Sequence, residues 1–369
     1  MNENKNTHDT EAEKSPDGVI SAGIDKSATQ TARAVSGDGG ENPDVPIEVL
    51  LLEKLIKNAS RVKFALSKTI LPALLLLVFL PAAHSFSLVA RIGELRAASA
   101  RPIAELRELR PGLPGINGGQ GMEVLPNGTV VIADTNNRRV VAFARGASAP
   151  GELWSLPEGQ EPMVLPYDVA GGPDGSAYVL DTGTGKIHVF SPEGKYLRTL
   201  DLVAPGGRGL VVDRLGNAYV ADTGQQSVRK ALANGRPDPS FGGPAAPGAI
   251  RTGLEMNGIA ALDDSIYVTA RDAIYKIDSG GHQMVRLQTR GVNYGIAAGP
   301  DGNLYTTDIA TDRVWAVTPE GKMVAWIGGR DASVRLFGQP RGLAFDGDGR
   351  LWVMNNDHVA GYEISGVNR

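Results

Sequence analysis

Residues 174–189 read Asp174-Gly175-Ser176-Ala177-Tyr178-Val179-Leu180-Asp181-Thr182-Gly183-Thr184-Gly185-Lys186-Ile187-His188-Val189. Asp-Gly ahead of an apolar run marks a hairpin turn, because glycine accepts positive φ without strain. The run is short, β-branched and aromatic, and ends on an aspartate. A glycine-rich turn and a second apolar strand follow. Working outward, the same unit recurs. Its turns are Asn127-Gly128, Asp174-Gly175, Leu215-Gly216, Asp264-Ser265, Asp301-Gly302 and Asp348-Gly349, with second residues 47, 41, 49, 37 and 47 positions apart by subtraction. A period near forty with four short strands per unit is the spacing of a β-propeller, and six turns predict six blades.

The strand after each turn repeats as Val130-Val131-Ile132-Ala133-Asp134-Thr135, Ala218-Tyr219-Val220-Ala221-Asp222-Thr223 and Leu304-Tyr305-Thr306-Thr307-Asp308. It degrades to Tyr267-Val268-Thr269-Ala270 and Trp352-Val353-Met354-Asn355 in the fourth and sixth units. These residues resemble the NHL repeat over nearly everything after Gly118. The resemblance implies an all-β, six-bladed propeller of four-stranded blades over 102–369 and leaves the activity open, since propellers host unrelated functions. The sixth unit stops after Gly361-Tyr362-Glu363-Ile364 and lacks a last strand. A matching run, Ile103–Leu109, stands before the first unit. Pairing it with the last blade is expected to close the ring and cover an exposed edge.

Ahead of the repeats the composition changes three times. Residues 1–46 are polar, acidic and poor in large apolar side chains, which predicts a disordered tail. From 47 to 68, Ile47, Leu50, Leu51, Leu55 and Ile56 recur at helical spacing among Lys54, Lys57, Arg61 and Lys63, the pattern of a basic amphipathic helix beside a membrane. Residues 69–90 carry no charge and suffice to span a hydrocarbon layer as a single-pass transmembrane helix. Small residues at Ala83-His84-Ser85 would also suit a cleaved signal, but the preceding region is far longer than a signal's, which favours an uncleaved anchor. Lys57, Arg61, Lys63 and Lys68 before the span nearly balance Arg91, Arg96 and Arg101 after it. The signal-like core then favours an extracytoplasmic propeller, joined through a linker at 91–101.

Composition narrows the chemistry. The 369 residues include no cysteine, which excludes disulfides, zinc–thiolate sites and thiol catalysis. The net charge of −4 offers no basic excess for a nucleic-acid partner, and Arg138-Arg139 is only a small basic pair. The repeated strand-end aspartates are expected to shape turns, because a motif present in most blades does not build one asymmetric site. Function is expected where the repeats differ. The position before each unit's leading glycine holds Gln120, Tyr167, Arg208, Asn257, Tyr294 and Arg341. In a propeller these converge at the mouth of the central channel. Two arginines, two tyrosines and two amides there would suit an anionic or polyhydroxylated small molecule, or an acidic peptide loop of a protein partner.

The alternative is a channel-mouth hydrolase or lyase. Asn257-Gly258-Ile259-Ala260 resembles a motif of gluconolactonase-like propellers, which hold a divalent metal in the channel. That resemblance would make Asp168, Asn257 and Asn293 oxygen ligands for an ion such as calcium. No glutamate completes the set, and Arg208 and Arg341 would oppose a cation, so no cofactor is expected. The fifth unit, from Asn293 to Tyr305, resembles blades of streptogramin-type lyases. Those enzymes need clustered histidine and glutamate, whereas His188, His282 and His358 are scattered. A binding, scaffold or sensing module is the primary expectation.

Overall fold

A computed structural model describes residues 96–106, 113–146, 151–202, 204–242, 255–278, 280–332 and 335–367. The tail, basic helix and membrane span expected over 1–90 lie outside them. Among the described residues no helix is long and apolar enough to cross a membrane.

The chain forms six sheets, one per predicted unit, and within each unit the strands pair antiparallel. In the second blade the strands Pro166–Gly171, Ala177–Asp181, Lys186–Phe190 and Tyr196–Leu200 follow one another from the channel outward. The second strands of four blades, Val130–Asp134, Ala177–Asp181, Ala218–Asp222 and Leu304–Asp308, are buried at all five residues. Each is sandwiched between neighbouring blades, so both faces must be apolar. The core is accordingly a series of inter-blade layers, such as the one joining Tyr219, Phe241, Met256 and Val268.

The first of the predicted turns is one residue longer than a two-residue Asn-Gly hairpin. Gly128 N donates to Leu125 O at 2.7 Å, and Leu125 N donates to Thr129 O at 2.9 Å. Pro126-Asn127 are therefore the central residues, and Gly128, at φ 84°, is the left-handed bulge residue. In blade four the turn is Asp263-Asp264, because Leu262 pairs directly with Ser265. The expected Asp264-Ser265 turn is thus one residue late.

Blade six is closed by the N-terminal side of the repeats. Its own strands are Leu343–Phe345, Leu351–Met354 and Val359–Ser365, and Ser99–Leu106 adds antiparallel to the last of them. Just before it, Arg96–Ala97 runs parallel to Met323–Gly328 on the outer edge of blade five. One segment therefore straps two adjacent blades. Among the described residues strand pairing begins at Arg96, inside the stretch read as a linker. Among the described residues blade three has three strands, and Ala231, at the end of the third, forms a single antiparallel bridge with Pro237; residues 243–254 are not among those described.

The innermost strands enclose the channel. An added Cβ on Gly258 would lie 2.7 Å from Tyr294 O, and one on Gly342 would lie 2.8 Å from Gln120 O. The leading glycines are needed because the next blade's backbone passes that close. Blade two is the exception and carries Asp168 at this level.

Candidate binding site at the channel

Each side chain of the site stands at or near the start of an innermost strand, and in blades one, two and five the strand-end aspartates hold those starts. Asp181 accepts from Val164 N at 3.0 Å and Leu165 N at 2.7 Å, two residues before Tyr167. Asp308 accepts from Val292 N at 3.0 Å, just ahead of Tyr294, and Asp134 from Asn117 N at 2.8 Å, just ahead of Gln120. Asn355 does the same in blade six by accepting from Gly338 N at 2.9 Å. These aspartates pin loops, as their repetition predicts. Arg139, half of the basic pair, is spent in this way on Asp134, at 2.6 Å.

Five of the six predicted mouth residues, all but Arg341, line one central cavity of about 230 Å³. They close it. The hydroxyls of Tyr167 and Tyr294, from opposite blades, meet at 2.7 Å across the channel. Tyr294 donates to Gln120 Oε1 at 2.6 Å, and Arg341 Nη1 donates to the same oxygen at 2.9 Å. The Arg341 guanidinium stands over the Tyr294 ring, 5.2 Å from its centroid. Burial, followed by the Tyr294 phenol, pushes the Tyr167 phenol well above its ordinary value. It stays a neutral hydrogen-bonding group throughout the working range.

The other arginine is engaged to the side. Arg208 Nη1 donates to Glu255 at 3.0 Å and to Asn257 Oδ1 at 3.2 Å. Burial works against its charge, but the Glu255 carboxylate opposes that and keeps the guanidinium charged. Arg208 remains partly exposed, and Glu255 is more so. A stronger anion could displace this carboxylate and take the bidentate face. Sequence reasoning missed Glu255, which precedes the mouth position by two residues and has no counterpart in the repeat pattern.

The expected metal ligands are not brought together. Asn257 and Asp168 line the channel, but Asn293 does not. Asn293 is fully buried and donates instead to Ala270 O and Arg271 O, both at 3.3 Å, and to Thr289. Asp168 already accepts from Val169 N at 2.9 Å and Leu210 N at 2.7 Å, and Asn257 Oδ1 accepts from a cation. Among the described residues no group of three His, Asp or Glu could hold a metal ion. The donor set does not fit calcium, because its oxygens are occupied by donors rather than converging on one point. The histidines stay apart too. His188 is buried against Thr199, His282 contacts Asp278 and His358 contacts Asp357.

A glutamate does reach the channel, contrary to the sequence reading. Glu123 lies two residues beyond leading Gly121, where the other blades have Ala170, Val211, Ala260, Ala297 and Ala344. It accepts from Val124 N at 2.8 Å and Gly171 N at 3.3 Å. The signal was legible: it is the single charge at a level of small apolar residues.

No protein-family model matches the sequence, and no curated protein matches it. Solved structures match in fold. A streptogramin B lyase is 16% identical, covering 73% of this chain and 98% of its own, with TM-score 0.54. A protein of unknown function from Bacteroides thetaiotaomicron is 15% identical, covering 73% of this chain and 76% of its own, with TM-score 0.57. A gluconolactonase from Xanthomonas campestris is 14% identical, covering 74% of this chain and 99% of its own, with TM-score 0.52. The chain is a six-bladed β-propeller with neighbours of the lyase and gluconolactonase kind. At such identities the likeness concerns the fold alone.

Proposed function

We propose that this chain is a membrane-tethered propeller of NHL-like repeats that binds an anionic or polyhydroxylated ligand at its channel mouth. The observation that carries the reading is the pairing of a polar ring, built where the blades differ, with two arginines set three blades apart. Arg208 is held by an exposed carboxylate and Arg341 by an amide oxygen, so both are preorganised donors whose present partners a ligand carboxylate could replace. Tyrosines supply flat area for a sugar ring or a peptide side chain. Tethering is supported by the uncharged run 69–90 behind a basic segment.

The test uses the full chain with gluconate, a sugar acid, and the neutral sugar glucose as probes in titration calorimetry. Gluconate is expected to bind, more weakly as salt rises, and Arg208→Met/Arg341→Met to lose that binding while keeping its fold. If gluconate and an acidic peptide library both bind the variant as well as the parent, recognition lies on another face. Carbonate extraction should leave the chain with the membrane pellet. A soluble product beginning near Phe86 would show cleavage instead.

A further inference from the structure

Blade five departs from its neighbours at the turn between its second and third strands. This turn lies on the mouth face, because Asp308 at its start pins the segment ahead of Tyr294. Its last residue is left-handed, as in blades one, two and three, where Arg138, Gly185 and Gln226 hold the place. Blade five puts Asp312 there, at φ 54° and fully buried. The turn itself does not need a carboxylate, since three other blades make it without one.

What the carboxylate does is gather cations. Asp312 Oδ2 accepts from Arg330 Nε at 3.0 Å and from Arg335 Nη2 at 2.6 Å, and Oδ1 accepts from Gln339 N at 3.0 Å. Burial alone would raise the Asp312 carboxyl, but the Gln339 amide and the two guanidinia outweigh it and hold the group below its ordinary value. One fixed negative charge thus meets two positive ones. Both arginine side chains stay more than half exposed, at 56% and 61%. Arg330 Nη1 and Arg335 Nη1 have no acceptor among the described residues. The nearby carboxylates do not neutralise the pair. Asp331 gives both oxygens to Arg313, and Asp308 faces inward to Val292 N, Ala310 N and Thr311. Two exposed guanidinia held on one buried anion are a preorganised receptor for a second anion.

The pair also stands in line with the mouth. Gln339, whose amide Asp312 accepts, is two residues before Arg341, and Arg341 reaches Gln120 in the channel. One surface path along blades five and six therefore carries Arg330, Arg335 and Arg341. The exposed large apolar side chains among the described residues, Leu153, Val164, Leu197, Leu215 and Val285, all belong to blades one to four or the loops between them. A protein partner would find no apolar anchor on this path, whereas a chain of sugar acids needs none. We propose that Arg330 and Arg335, gathered on Asp312, form a second anion subsite, and that the ligand is a linear oligosaccharide of uronic acids, with one carboxylate at the mouth arginines and another on this pair. The first carboxylate rests on the reading of the mouth given above; the second rests on the pair alone.

Calorimetry on the full chain compares galacturonate with hexagalacturonate. The hexamer should bind the parent roughly a hundredfold tighter than the monomer. Arg330→Gln/Arg335→Gln should remove most of that advantage while the monomer still binds. A hexamer that binds parent and variant alike overturns the proposal, and so does a hexamer no tighter than the monomer. Failure of the monomer to bind either protein counts against the mouth, and the pair is then judged by the hexamer's difference between parent and variant. Should the variant fail to fold, labelling of the parent's arginines with butanedione decides. Hexagalacturonate should shield Arg330 and Arg335 from the reagent, read by peptide mass, and the neutral maltohexaose should not. Labelling unchanged by the hexamer refutes the subsite. Shielding by hexaglutamate but not by the hexamer assigns the pair to an acidic protein segment and overturns the sugar assignment.

Discussion

Asp181 and Asp222 hold the same place in consecutive blades, and both are fully buried, yet their carboxyls are pushed in opposite directions. Burial raises both. At Asp181 it is overcome by His188, whose Nε2 lies 3.9 Å away, and by donors from the Val164 and Leu165 amides and Thr184, which hold the carboxyl at about 2. At Asp222 burial prevails, because Gln225 N at 3.2 Å is its main donor and Oδ2 has no partner among the described residues. Its cross-strand neighbour Ser227 has an equally unpartnered hydroxyl. Asp181→Asn should therefore cost about 2 kcal/mol or more at pH 7, since an amide nitrogen would face amide donors. That stabilisation is present above the ordinary carboxylate range and should disappear in the parent only as pH falls through about 2. Asp222→Asn should change stability by less than about 0.5 kcal/mol, or raise it, because the new amide can donate to Ser227. Urea unfolding at pH 7 compares the two. Equal losses would show that the missing donors at Asp222 are supplied in solution. The motif made the structural role of both residues readable. It could not reveal their difference, which depends on what the incoming loop donates.

At the scale of the element, the N-terminal strap was foreseeable because the sixth unit runs out of sequence one strand early. Ile103–Leu106 pairs where the missing strand should be, and the pairing extends back to Ser99 against Ser365. The part of the segment from 107 to 109 lies outside the described residues. What the pattern did not disclose was Arg96–Ala97 on blade five, a parallel two-residue pairing with no hydrophobic period to announce it. The turns show the same limit: their glycines were evident, but a three-residue loop with a bulge and a two-residue turn share similar residues, so only the hydrogen bonds separate them. Removing residues 96–106 uncovers the edges of two blades and exposes apolar groups of the clusters that hold Ala98 and Leu106, such as Ile327 and Val359. The midpoint of unfolding should drop by roughly 10 °C or more, and the transition should broaden as terminal blades fray ahead of the rest. Circular dichroism at two wavelengths would detect this. An unchanged single transition would mean that the strap is not needed for closure.

Across the propeller, five of the six positions ahead of the leading glycines line one cavity and the sixth, Arg341, joins them through Gln120, because a ring fold turns a recurring sequence position into neighbours in space. Their partners were not readable. Which blade faces which follows from counting, but whether opposite side chains touch depends on the channel's width and on rotamers, which sequence periodicity does not encode. The outcome is a bar across the channel. Tyr294 gives its proton to Gln120 and meets Tyr167, so blades one, two and five are tied through three side chains. This contact tests the ring's closure without disturbing any blade's core, since phenylalanine keeps each ring and removes only the hydroxyl. Tyr294→Phe deletes two hydrogen bonds and Tyr167→Phe only one, so the first should cost more. The double variant should cost less than the sum, by about 0.5–1.5 kcal/mol, because the shared bond is lost only once. A urea-unfolding cycle of the four proteins measures that coupling. Strict additivity would mean that the two hydroxyls do not meet in solution and that the channel stands open. Coupling of the expected size would mean that any ligand entering the channel must first break this bridge, which should appear as faster gluconate association in the Tyr167→Phe variant than in the parent.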